Sequence, residues 1–132
     1  LKLLDQVAYA CASRYSGHYA VTLSVDQVIF KEPIHVGELV TFLASINHVG
    51  RTSMEVGIRV EAQNIRQRSV RHTNSCYFTM VAIDNGKPAA VPPLPLNTDM
   101  QRCRFAAAEQ RKAQRLQAVH THRCESDDKN QN

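Results

Sequence analysis

LKLLDQVAYACASR, residues Leu1 to Arg14, decides how the rest of the chain is read. The stretch is apolar on nearly every side, through Leu1, Leu3, Leu4, Val7, Ala8, Tyr9, Ala10, Cys11 and Ala12. A helix of that kind is expected to be buried all round, not laid on a surface. One carboxylate, Asp5, sits inside it. A buried, unpaired charge is expensive, so Asp5 is expected to have a partner or a task. The helical pattern begins at once on a Leu with no capping residue, so the helix is expected to start upstream of Leu1. Ser16-Gly17 supplies its end, because Gly can take the left-handed conformation that closes a helix.

Strands follow. In Tyr19 to Phe30 the apolar Val21, Leu23, Val25 and Ile29 alternate with Thr22, Ser24, Asp26 and Val28, a period-2 pattern. Pro33 and Gly37 mark a connection, and Leu39 to Val49 reads as a second strand, closed by a turn at Gly50-Arg51. From Ser53 the alternation is clean. Met54, Val56, Ile58, Val60 and Ala62 face one way, and Ser53, Glu55, Gly57, Arg59 and Glu61 face the other, an antiparallel strand with a wet outer side. A polar hairpin at Asn64 to Arg68 leads to a long strand from Ser69 to Ile83, and Asp84-Asn85-Gly86-Lys87 carries the Asn-Gly turn signature.

Three prolines within four residues, Pro92, Pro93 and Pro95, exclude a central strand there. Thr98 and Gln101 match a capping box for a last helix. The expected organisation is a domain over 1–96, a C-terminal helix over 97–118 and a polar, disordered tail over 119–132. Four strands with one apolar side each need something apolar to enclose. The fold class that meets this need is α+β: a hotdog fold, a curved antiparallel sheet wrapped around a long central helix, with a C-terminal helix added.

The net charge of +4 comes from 16 Lys and Arg against 12 Asp and Glu. Five basic and two acidic residues between Asn97 and Ala118 hold +3 of it, which suits an anionic ligand. Nucleic acid is disfavoured, because the last helix offers only Phe105 as a stacking aromatic. No run approaches the roughly 18 apolar residues of a membrane span, so no membrane partner is expected. Cys11, Cys76, Cys103 and Cys124 form no CxxC pair and read as free thiols in a reducing, cytoplasmic setting.

Four stretches, in this order, resemble one family. LLDQVAYACASR is similar to its central helix, and VTLSVDQVIFKEPIHVGELV to its second strand and Phe-x-x-Pro-x-x-Val-Gly turn. VGRTSMEVGIRVEAQN resembles its Gly-Arg-Thr-Ser-Met-Glu-Val segment, and CYFTMVAIDNGKPAAVPPL its closing strand and Val-Pro-x-Leu tail. On these the chain resembles the hotdog-fold acyl-CoA thioesterases of the bacterial short-chain and brain acyl-CoA hydrolase type.

The resemblance implies a catalytic Asp on the central helix, and the matching position is Asp5. It implies further an Asn and a His-Gly-Gly segment upstream of Leu1, and it places Arg51, Thr52 and Ser53 near the coenzyme A moiety. A thioester carbonyl needs a base-activated water or a nucleophile, and Asp5 is suited to either role. The plain alternative for Asp5 is a first-turn carboxylate stabilised by the helix dipole. Ala8, Tyr9 and Ala12, at i+3, i+4 and i+7 from Asp5, share its face and are expected to line a slot for the acyl chain.

The expected partners are the acyl-CoA substrate and a second copy, sheets joined edge to edge with the site at the boundary. The resemblance suggests a hexamer built as a trimer of dimers. No cofactor is expected, since coenzyme A belongs to the substrate. No metal is expected either, since His120-x-His122-x-Cys124 lacks a fourth ligand. Two other readings of a hotdog chain stand beside hydrolysis: a non-catalytic acyl-CoA or ligand binder, and a dehydratase or hydratase. The second needs a His working with an acid around the central helix, and none lies between Leu1 and Gly17, with His18 just beyond.

Overall fold

The computed structural model describes residues 2–27 and 33–130, with side chains over 3–26 and 33–117. Helix α1 is Lys2–Ser16. It is followed by strands β1 (Tyr19–Gln27), β2 (Leu39–Val49), β3 (Ser53–Asn64) and β4 (Ser69–Asp84), a two-residue β5 (Lys87–Pro88), and helix α2 (Asp99–Asn130). Val28, Ile29 and Phe30, expected to end the first strand, lie outside the described residues. The chain divides into two compact units, Leu1–Pro95 and Leu96–Asn132.

In the first unit the sheet is antiparallel with the order β1-β4-β3-β2, and β5 pairs with β4. Helix α1 packs on β1, β2, β3 and β4. The reason lies in which residues face each other. Ala8 and Ala12, both 0% exposed, let the helix backbone approach the sheet, where Met54, Val56, Ile58, Phe78 and Met80 fill the space between. This is the expected hotdog arrangement, with the clean alternation of β3 turning Met54, Val56, Ile58, Val60 and Ala62 inward. The turn after β4 also forms as its residues demand, with Asn85 at φ 51° and Gly86 at φ 75°. Positive φ at both central positions is what a tight hairpin needs to match the twist of its strands.

Burial of α1 on all sides is not what the chain adopts. Leu4, Ala8 and Ala12 are buried and Val7, Cys11 and Tyr15 partly so, whereas Leu3 is 55% and Tyr9 40% exposed. A sheet packs on one side of a helix, and the far side keeps its apolar residues in the open.

The outer side of β3 departs from expectation too. Glu55 is only 4% exposed on the side expected to be wet. A register shift in β2 between Ile46 and His48 displaces the strand there. The Asn47 amide nitrogen donates to Glu55 Oε1 at 3.3 Å, and the Ser45 hydroxyl donates to Asn47 Oδ1 at 2.9 Å. Asn47 lies flat over Gly57, so that a Cβ built there would sit 2.3 Å from its Nδ2.

Away from the core, Arg71 Nη2 grips both carboxylate oxygens of Glu38, at 2.6 and 2.9 Å, and ties the turn before β2 to β4. The guanidinium, and then the His35 N–H, hold the Glu38 carboxyl below the usual range.

Helix α2, in the second unit, opens on the expected capping box. The Gln101 N–H donates to Thr98 Oγ1 at 3.1 Å, and the Thr98 N–H donates to Gln101 Oε1 at 3.0 Å. The helix continues to Asn130, past the boundary at Ala118 and through most of the stretch read as a disordered tail. No Gly or Pro occurs between Asp99 and Asn130 to stop it.

Gly57→Ala should lower the unfolding free energy by about 1–3 kcal/mol, since Asn47 must leave its place over β3. Urea denaturation checks this, and an unchanged midpoint would contradict the close packing.

Candidate functional site

Asp5 lies in the first turn of α1. It is exposed, contrary to the burial expected for it, and it does have a partner. The Thr22 hydroxyl, on β1, donates to Asp5 Oδ1 at 2.8 Å. The bond joins residues 17 apart in sequence, across the corner where the helix meets the sheet. The same hydroxyl lies 3.3 Å from the sulfur of Met80, its cross-strand neighbour on β4.

The sequence does not single out Thr22, because the period-2 pattern puts Val21, Leu23 and Val25 on the inner side of β1. They are 51%, 69% and 40% exposed, whereas Ala20, on the other set, is 6% exposed. Small residues are needed where the strand runs beneath the helix, and Ala20-x-Thr22 supplies them. A register shift after Thr22 then breaks the alternation. The spacing of small residues, more than hydropathy, was the available signal.

The three residues expected to line an acyl slot do not come together. Ala8 and Ala12 are sealed in the core, while Tyr9 is exposed. The open space beside the helix is instead a groove of ≈ 670 Å³ between α1 and β2. Val7, Ala10, Cys11, Arg14 and Tyr15 line it on one side and Ala44, Ser45 and Ile46 on the other. Helical geometry explains the shift, because the positions adjacent to a buried i, i+4 stripe border its rim. Burial pushes the Cys11 thiol up, outweighing the opposite pull of Arg14. A thiol so held is a poor nucleophile, in keeping with a packing role.

Arg51 is exposed, and Thr52 and Ser53 are half-buried. Their carbonyls anchor the turn, accepting from the N–H groups of Val91 at 3.0 Å, Ala82 at 3.0 Å and Gly50 at 2.8 Å respectively. Register places this turn at the end of the sheet that holds Thr22. Ser53 pairs with Val81, next to the row in which Thr22 pairs with Met80 and Met80 with Met54. Two strand spacings, about 10 Å, separate Thr22 from Met54 in that row. Asp5, Thr22 and the Arg51–Ser53 turn thus share one end of the sheet.

Among the described residues no group of His, Cys, Asp and Glu is arranged to hold a metal ion. The side chains of His120, His122 and Cys124 lie outside them. No described helix is long and apolar enough to cross a membrane.

The sequence model of the thioesterase superfamily matches residues 1–69. Protein VdlD of Helicobacter pylori is 56% identical over 115 residues, which cover 87% of this chain and 66% of that protein. The chain therefore spans just under two thirds of the length of that relative. An apo-hexameric acyl-CoA thioesterase of known structure is 32% identical, with a TM-score of 0.81 over 89% of this chain and 76% of that one. An acyl-CoA hydrolase from Staphylococcus aureus, solved with butyryl coenzyme A, coenzyme A and coenzyme A disulfide, is 30% identical. Its TM-score is 0.79, over 91% of this chain and 76% of that one.

Thiol alkylation at neutral pH, followed by peptide mass analysis, should label the exposed Cys103 about tenfold or more faster than Cys11. Buried Cys76 should react only on unfolding. Cys11 reacting first would contradict the description of the groove.

Proposed function

The chain belongs to the thioesterase superfamily, with the hotdog fold, and on that premise we propose that it hydrolyses acyl-CoA to a free carboxylic acid and coenzyme A. The observation that carries this reading is the carboxylate of Asp5 on α1, oriented by the Thr22 hydroxyl at 2.8 Å. Asp5 is exposed, so a thioester can reach it. It acts either as general base on a water or as nucleophile on the carbonyl carbon. In both roles the hydroxyl fixes one carboxylate oxygen and leaves the other to the reaction.

Arg51, Thr52 and Ser53 then serve the phosphates of the coenzyme A moiety, at the same end of the sheet. The acyl chain follows the groove along Val7, Cys11 and Ile46, in place of the sealed Ala8 and Ala12, and keeps to its apolar side away from Arg14 and Ser45. The chemistry requires no cofactor and is set in the cytoplasm.

The assembly is read as a dimer, and as a hexamer through three such dimers. Strand β1 is one edge of the sheet, and Tyr19, Val21 and Leu23 are 76%, 51% and 69% exposed along it. An apolar edge with open backbone groups is a pairing surface. Because Thr22 belongs to that same strand, a second copy on β1 would wall the site.

Thioester hydrolysis should be measured over acyl chains from acetyl to palmitoyl, with Asp5→Ala alongside. The substitution should lower kcat by about 10²–10⁴-fold with the far-UV spectrum unchanged. Intact turnover in the variant would remove Asp5 from the mechanism. Coenzyme A binding without hydrolysis of any chain length would make the protein a non-catalytic binder. Light scattering at micromolar concentration should give two or six times the chain mass of 14.8 kDa. A monomer there would contradict both assemblies.

A further inference from the structure

The Thr22 hydroxyl has one hydrogen and two acceptors within reach: Asp5 Oδ1 at 2.8 Å and the thioether sulfur of Met80 at 3.3 Å. A hydroxyl donates a single hydrogen bond, so at any moment it serves one of the two. An ionised carboxylate is the stronger acceptor and a thioether a weak one. While Asp5 carries its charge, the hydrogen points to Asp5.

That preference ends during turnover. As a base, Asp5 takes one proton from water while the water oxygen bonds to the thioester carbonyl carbon. The C–S bond then breaks, and the departing coenzyme A sulfur takes up that proton. As a nucleophile, an Asp5 oxygen bonds to that carbon as the C–S bond breaks and coenzyme A leaves as the thiolate. Water then hydrolyses the acyl–Asp5 anhydride to the free acid and the restored carboxylate. In either case the carboxylate gives up its negative charge as the transition state forms. Its hold on the hydroxyl weakens at the point where the reaction is hardest. Met80 is 1% exposed and lies between Met54 and Thr22 in one cross-strand row, with its sulfur 3.3 Å from the hydroxyl. Rotation about the Thr22 Cβ–Oγ1 bond alone carries the hydrogen from carboxylate to sulfur, with no heavy atom moving.

We propose that Met80 is a positioning residue for the reaction, giving the Thr22 hydroxyl a second acceptor as Asp5 loses its charge. This inference rests on the acyl-CoA hydrolase reading above. The contribution is made in the transition state and not in substrate binding, so it belongs to kcat and not to KM. It also runs entirely through Thr22, and a packing role would not.

The test is steady-state hydrolysis of acyl-CoA by Met80→Leu, Thr22→Val and the double variant in the full chain. Leu conserves the volume of Met and is well tolerated in cores. Met80→Leu should lower kcat about threefold at unchanged KM, and should have no further effect in the Thr22→Val background. A loss that persists in that background would show that Met80 acts by packing and would overturn the inference, as would an unchanged kcat. Should Met80→Leu fail to fold, Met80→Ile replaces it in the same comparison. Asp5→Ala separates the two levels: full turnover there refutes the hydrolase reading itself. Loss of turnover in Asp5→Ala, with additive effects at positions 22 and 80, refutes Met80 alone.

Discussion

The bond from the Thr22 hydroxyl to Asp5 depends on two elements, α1 and β1, that the core holds together. Asp5 is placed by α1 and Thr22 by β1, 17 residues later in the sequence. Bringing their oxygens to 2.8 Å needs the helix to lie close on the sheet, and Ala8 and Ala12 make that possible. A larger side chain at either position would lift α1 and open the distance. The core is thus the means by which a carboxylate and a hydroxyl are held in register.

The sheet contributes its own part. In register, Thr22, Met80 and Met54 form one row across β1, β4 and β3, and the Arg51–Ser53 turn adjoins the end of that row. Backbone bonds from Ala82 and Val91 fasten the turn to β4 and to the segment beyond β5. Asp5, Thr22 and the Arg51–Ser53 turn are thereby held on one scaffold, at the positions that the proposed reaction assigns to the carbonyl and the phosphates. Residues that shape the outer side of the sheet, Asn47, Glu55 and Gly57, keep β2 and β3 in contact.

Much of this was legible in the sequence. Period-2 alternation marks β1 and β3 as strands, the turns on either side bound β2 and β4, and Asn85-Gly86 and the Thr98/Gln101 pair announce their turn and cap through local chemistry. Asp5 stood out as a carboxylate in an oily helix. What hydropathy hid was orientation. Val21 and Leu23 read as inward because they are apolar, yet the helix overhead admits only Ala20 and Thr22, so the partner of Asp5 was assigned to the wrong side. Ala8 and Ala12 read as a slot because they are small. The same smallness seals them against Met54 and Met80. The burial of Glu55 depends on a bulge in the neighbouring strand, which no pattern within β3 records.

The most direct measurement is a double-mutant cycle on kcat/KM for acyl-CoA hydrolysis, using Asp5→Ala, Thr22→Val and the pair. If the hydroxyl acts by orienting the carboxylate, Thr22→Val lowers kcat/KM in the wild-type background and has no further effect once Asp5 is gone. Independent, multiplying losses would contradict the coupling of helix and strand on which the site depends.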